Sequence, residues 1–232
     1  MKNALIPLRI SLILAISVAQ TLAAATGVIE GSIKYLADPN RPWKFSRYYV
    51  QKSGLLAETV IALEGLDLNR LAPTNTAKKS AMDQVNFQFV PETIVIRAGD
   101  TVAISNSDDA LHNVMTSDGG QPFNVNVVKG KQFEHTFDRA GGLNEPVRLG
   151  CVFHGGMRAW IYVFDHPWFQ LTQKDGRFRL ENVPVGKYNL GIVHPAGKLR
   201  SSRHIEVIAN ATTALQITSS PDDRIGTKAN DD

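Results

Sequence analysis

Beyond position 25, apolar residues alternate with polar ones in short runs, and each run stops within a few positions at Gly, Pro, Asn or Asp. A two-residue period puts side chains alternately on the two faces of a strand, whereas an amphipathic helix needs apolar residues three and four apart. A chain written this way buries its apolar residues through sheets, so the expected class is all-β and no long amphipathic helix is expected. Strands are expected at 28–33, 59–63, 86–90, 93–97, 101–106, 123–128, 131–137, 147–149, 159–164, 178–180, 187–193, 204–208 and 214–218.

Three stretches break the pattern. "GLDLNRLAPTNTAKKSAM" (65–82) is polar and poorly alternating, which suggests a linker or a loop leading into a new unit, with a boundary near residue 80. "DHPWFQLTQKDG" (165–176) carries a Pro and an Asp-Gly turn after the strand that ends at Phe164. The tail over 221–232 has almost no apolar content and is expected to be disordered.

The first 25 residues read as a bacterial-type export signal: Lys2 and Arg9 ahead of and beside an apolar run from Ile10 to Ala19, then Ala23-Ala24-Ala25 as a small-residue cleavage site. The run falls short of the roughly 20 residues a membrane span needs, so a periplasmic protein with no integral membrane segment is expected. Removing that segment leaves 23 Lys+Arg against 22 Asp+Glu. With near-zero charge and no basic run interleaved with aromatics, nucleic acid is excluded as a partner. The remaining length suits one large or two small domains.

An exported chain normally spends cysteines in pairs, and this one has a single cysteine, Cys151. It opens "CVFHGGM", in which Cys151, His154 and Met157 follow one another at intervals of three. A thiolate, an imidazole and a thioether in one loop are a soft donor set that suits copper better than any hard cation. A second imidazole is needed, and His112 in "SNSDDALHNVMTS" is the upstream candidate. Two imidazoles and a thiolate make a trigonal site, and a weak axial thioether lets copper change oxidation state with little ligand movement. Taken singly, a buried cysteine is a small apolar residue and a lone histidine is usually structural. Their joint spacing is what points to a metal.

On these residues the segment 80–165 resembles a cupredoxin, the plastocyanin and amicyanin family of blue copper proteins. "FVPETIVIRAGDTVAISNSD" resembles the family's strand, Gly-Asp turn and strand ahead of its first histidine. "LHNV" resembles the His-Asn context, "VKGKQFEHTFDRAGG" the strand before the cysteine, and "CVFHGGMRAWIYV" the ligand loop and last strand. The resemblance implies a Greek-key β-sandwich holding one type 1 copper through His112, Cys151, His154 and Met157, with Asn113 bracing the two ligand loops and His154 as the surface port for electrons. "LNEPVRLG" stands where the family commonly has aromatics, Ala159 where it often has Gly, and Gly155-Gly156 where amicyanin has a Pro-aromatic pair.

The flanking segments carry a second resemblance. "DGRFRLENVPVGKYNLGI", "HIEVIA" and "ALQI" resemble the carboxypeptidase regulatory-like, or prealbumin-like, β-sandwich, and "GVIEGSIKY" and "AETVIALEG" resemble its first strands. This implies a discontinuous domain, 27–66 with 167–220, into which the copper domain is inserted. The alternative is that 27–66 adds strands to the cupredoxin. Trp43, Phe45, Tyr48 and Tyr49 either face a partner or pack between domains.

His135, His166, His194 and His204 remain. His135 shares a strand face with Phe133 and Phe137 and is expected to pack; His204 is expected on the surface. Four histidines without a His-x-His pair do not make the trinuclear cluster of a multicopper oxidase, and no nucleophile elbow or phosphate-binding glycine loop is present. An electron carrier rather than an enzyme is expected, shuttling between redox proteins. The layout resembles proteins labelled as methylamine-utilisation proteins, which implies an amine dehydrogenase and a cytochrome as partners. A copper capture or delivery protein and a metal-free β-sandwich adaptor stand beside that reading.

Overall fold

The computed structural model describes residues 25–43, 49–65, 67–118, 120 and 122–226, so the expected export signal (apart from Ala25), Phe45 and Tyr48 lie outside the described residues. Two strands come first, β1 (Thr26–Tyr35) and β2 (Val60–Glu64), followed by a single helical turn, α1 (Leu68–Leu71). Nine strands follow: β3 (Lys79–Val85), β4 (Gln88–Val90), β5 (Thr93–Arg97), β6 (Asp100–Asn106), β7 (His112–Thr116), β8 (Phe123–Val127), β9 (Gln132–Phe137), β10 (Val147–Gly150) and β11 (Arg158–Phe164). The last five are β12 (Phe169–Leu171), β13 (Arg177–Pro184), β14 (Gly186–His194), β15 (Leu199–Val207) and β16 (Thr212–Ser219). The chain is all-β, as its alternation dictates.

Strands β3 to β11 form two sheets, β5-β11-β10-β7-β8 and β4-β3-β6-β9. Their inward residues interlock: Met82, Phe89, Val102, Ile104 and Phe137 from one sheet meet Ile96, Val114, Leu149, Ala159 and Ile161 from the other. Burying each large apolar side chain is worth about 1.5–3 kcal/mol over leaving it exposed, and both sheets alternate so that these positions all point inward. The β3–β6 and β5–β11 pairs are parallel, the crossing connections of a Greek key.

The other strands form the sheets β13-β1-β16 and β12-β2-β14-β15. Among the strands of the described residues, β1 pairs with β13 and β16, and β2 with β12 and β14, so the N-terminal strands close their ladders with the C-terminal ones. Between these sheets lie Ile29, Ile33, Ile61, Leu63, Phe178, Leu190 and Ile217. Gly31 on β1 is required by close approach, since a Cβ there would sit 2.4 Å from the carbonyl oxygen of Leu215 on the parallel neighbour β16.

A third apolar cluster joins the two halves: Val60 and Ala62 of β2 and Val193 of β14 pack with Leu143 and with Tyr162 and Phe164 of β11. This accounts for two runs that lack alternation, "VIAL" and "WIYVF". Both strands are buried on both faces, and such strands read as continuous apolar segments. β11, which follows the ligand loop directly, is thereby gripped from two sides.

Some expectations are corrected. The stretch 65–82 is not all linker, because its last residues enter β3 at Lys79, paired in parallel with β6. The strand expected at 86–90 starts only at Gln88, because Asn86 and Phe87 both take left-handed φ, 53° and 58°, and form the β3–β4 turn. His112–Thr116 and Phe169–Leu171, unassigned from sequence, are strands. The tail is ordered over 221–226 despite its polarity, because polar and backbone contacts hold it. Ser220 caps the turn Pro221–Asp223, Ile225 N–H donates to Lys198 O at 2.7 Å, and the Arg224 guanidinium reaches Tyr35 Oη and Pro42 O. Trp43 and Tyr49 do not form a partner-facing patch; their rings pack edge-on against His194 in the second sandwich. Among the described residues no helix is long and apolar enough to cross a membrane.

Candidate metal centre

The β6–β7 loop is built by Asn106, a side chain only 1% exposed. Its amide donates to Ala110 O at 2.9 Å and Val127 O at 2.7 Å, and its Oδ1 accepts the Asp108 N–H at 2.9 Å. An asparagine closing its own loop this way holds the backbone in a turn that no ladder supports. The turn delivers His112 as the first residue of β7, fully buried and paired opposite Val127.

The second loop leaves β10 at Gly150, which pairs with Met115 of β7, so Cys151 emerges beside His112 and Asn113. The His154 N–H donates to Cys151 O at 3.3 Å and the Met157 N–H to His154 O at 2.9 Å, two successive tight turns that follow the three-residue spacing. Cys151 and Met157 are buried together in the core between the sheets, His154 is half-buried, and Val152 and Phe153 are exposed. Gly155 and Gly156 lie open, with nothing within 4 Å of where a Cβ would stand.

Three donor atoms converge. His112 Nδ1 lies 3.1 Å from His154 Nδ1, and Cys151 Sγ lies 3.5 Å from His154 Nδ1. The ligand atoms of these three residues all fall within 4.8 Å of one another. His112 Nε2 stands 2.7 Å from Asp108 Oδ2 and donates its hydrogen there, which leaves the Nδ1 lone pair turned toward the other two donors. The Asn113 backbone N–H donates to Cys151 Sγ at 3.3 Å, which fixes the position of the sulfur. Asn113 also ties three segments together: Oδ1 accepts the Val152 N–H at 3.5 Å, and Nδ2 donates to Asn124 and Asn126 of β8.

Two features here escaped the sequence reading. Phe87, on the left-handed β3–β4 turn, sets its ring edge-on to His112 (centroids 5.5 Å) and to His154 (4.9 Å), and is 53% exposed. With Phe153, whose ring centroid is 6.4 Å from that of His154, it makes an apolar rim beside His154; Leu111 and Val152, next in the chain to His112 and Cys151, are exposed as well. Asp108 holds that turn: Oδ1 accepts the Asn86 N–H at 2.7 Å and Oδ2 the Phe87 N–H at 2.9 Å, besides the His112 contact. Although burial pushes the Asp108 carboxyl up, those three donors together hold it below the ordinary aspartate value. The available signal was an Asn ahead of an aromatic between two alternating runs, together with an acid four residues before the histidine.

The remaining histidines lie elsewhere. His135 packs among Phe123, Phe133 and Phe137, as its strand face requires. His166 is buried and stacked on Trp168, His194 is buried beside Trp43 and Tyr49, and His204 is exposed.

Fold and donor set together define a metal-binding Greek-key β-sandwich of the soft, His-Cys-His kind. Residues 76–162 match the family described as copper binding proteins, plastocyanin/azurin family, and this segment is a cupredoxin domain. The match covers less than half of the chain. No curated protein matches. Among solved structures, a purple cupredoxin from Nitrosopumilus maritimus is similar at 24% identity over 36% of this chain and 98% of that one, with TM-score 0.31. Amicyanin from Paracoccus versutus shares 21% identity over 44% and 96%, TM-score 0.32, and a copper-containing nitrite reductase from Thermus scotoductus 23% over 44% and 27%, TM-score 0.34. The cluster of one thiol and two imidazoles fits a type 1 copper site, and copper is the metal for which the family matched by residues 76–162 is described.

Proposed function

We propose that the chain is a periplasmic type 1 copper protein that passes single electrons between redox protein partners, with His112 Nδ1, Cys151 Sγ and His154 Nδ1 as the trigonal ligands and Met157 as the axial one. The observation that carries this is the convergence of the three donor atoms within 4.8 Å, with the His112 tautomer set from behind by Asp108. Copper, when bound, supplies one-electron chemistry. The protein's part is to hold the donors still. His112 is pinned in β7, the Cys151 sulfur is held by the Asn113 N–H, and Met157 enters β11, which is packed on both faces. Ligands held this way move little between oxidation states, and small reorganisation is what makes electron transfer fast.

His154 is the exit for the electron, because it alone of the three is half-buried and is rimmed by the rings of Phe87 and Phe153. The partners are redox proteins that cover this rim, with an amine dehydrogenase and a cytochrome as the pair the sequence resemblance implies. The export-type leader over 1–25 supports the periplasmic location. The strand pairing of β1 and β2 with β12 to β16 supports a nested architecture, in which 27–66 and 167–220 form one carboxypeptidase regulatory-like sandwich around the cupredoxin of 80–165.

Copper delivery is a second reading, favoured by one observation, the open Gly155-Gly156 pair in the ligand loop. Titrating Cu(II) into the protein, recording the visible spectrum and running voltammetry separates the readings. An intense thiolate-to-copper band with a reversible one-electron wave is expected; a band that fades rapidly into a competing chelator, with no stable wave, assigns delivery instead.

A further inference from the structure

Asp108 makes three contacts that no ligand role requires of it. Its side chain is only 12% exposed, and it accepts the N–H groups of Asn86 and Phe87 and the Nε2–H of His112. One carboxylate thus joins the β3–β4 turn to the buried histidine, and no other charged group contacts His112 among the described residues. A hydrogen bond from imidazole to a carboxylate is stronger than one to a neutral oxygen. It draws the Nε2 hydrogen outward and pushes electron density toward Nδ1, making that nitrogen the better donor.

We propose that Asp108 is a positioning and tuning residue of the metal centre: its carboxylate fixes His112 with Nδ1 facing the cluster, lowers the reduction potential by favouring the more highly charged oxidised metal, and seats Phe87 across both imidazoles. The inference rests on the copper reading above. The tuning follows from charge and ligand basicity, both of which stabilise Cu(II) over Cu(I). The seating follows from geometry. Two consecutive residues with left-handed φ have their N–H groups gathered by the same carboxylate, so the turn cannot tilt away from His112 without breaking those bonds.

The test pairs Asp108→Asn with Asp109→Asn in the full chain. Asp109 is the next residue, 92% exposed and ion-paired with Lys129, so its substitution removes the same charge from nearly the same place without touching His112. In Asp108→Asn, Cu(II) affinity is expected to fall by about 10–100-fold with Cu(I) affinity less affected; each tenfold preferential loss raises the potential by about 59 mV. In Asp109→Asn both quantities are expected to match the native protein. Equal potentials in the two variants overturn the proposal. Should Asp108→Asn fail to fold, the native Cu(I) protein decides by NMR. A His112 ring N–H resonance protected from exchange supports the carboxylate bond, and a rapidly exchanging one refutes it. A native protein without the visible band fails the copper reading and this inference together, whereas a native protein with the band and an unshifted Asp108→Asn potential fails this inference alone.

Discussion

Cys151→Ser is expected to abolish the thiolate-to-copper band and the reversible voltammetric wave, while the protein keeps its far-ultraviolet circular dichroism. Cys151 is the one cysteine in the sequence and its sulfur is the only thiol the cluster has. A serine hydroxyl is nearly isosteric and can accept the same Asn113 N–H, so the loop between β10 and β11 has little reason to rearrange. It does not ionise at neutral pH, however, and offers copper no soft anionic donor. What remains is two imidazoles and a buried thioether, a set without the thiolate on which the proposed type 1 site depends. A variant that keeps the native voltammetric wave and visible absorption would mean that Cys151 is a packed apolar residue and that the metal lies elsewhere.

Acidification is expected to cost the second sandwich stability through His194. Burial pushes its pKa from the ordinary 6.5 down to about 4, against smaller upward contributions from backbone contacts at Ala57 and His194 itself. Nδ1 accepts the Gly197 N–H at 3.0 Å, so the neutral ring carries its hydrogen on Nε2, and protonation would break that bond inside the Trp43–Tyr49 cage. Because the folded-state pKa is depressed, the unfolded chain binds the proton first. The contribution is complete above about pH 6.5, erodes as the pH falls, and is lost by about pH 4, a change of about 3 kcal/mol. Chemical denaturation of the metal-free protein between pH 7 and pH 4 measures it, with His194→Gln expected to flatten the dependence. An unchanged slope in that variant would place the acid sensitivity in other groups.

What could be read from the sequence follows from what each signal requires. Strands with one wet face, such as β13 and β16, announce themselves by alternation, and the soft donors Cys151, His154 and Met157 by their spacing within a single loop. β3 and β7 were hidden for different reasons. β3 begins inside a Lys- and Ser-rich stretch, and its burial pattern is shallow except at Met82 and Gln84. β7 carries His112 and Asn113, polar residues that only the tertiary structure buries completely. For Asp108 the sequence offers only a weak signal, an acid four residues before His112, and nothing else in "SNSDD" distinguishes it from a neighbour such as Asp109 that faces water. "NFQFV" reads as strand because β-propensity outweighs turn chemistry there, whereas in the structure Asp108 captures the N–H groups of Asn86 and Phe87 and decides for the turn.

Crystals of the copper-loaded protein, measured on both sides of the copper absorption edge, test the central claim most directly. A single anomalous peak in bonding contact with Nδ1 of His112, Sγ of Cys151 and Nδ1 of His154 is predicted, with none beside His135, His166, His194 or His204. A peak at any of those four histidines, or one that leaves Cys151 uncoordinated, would contradict it.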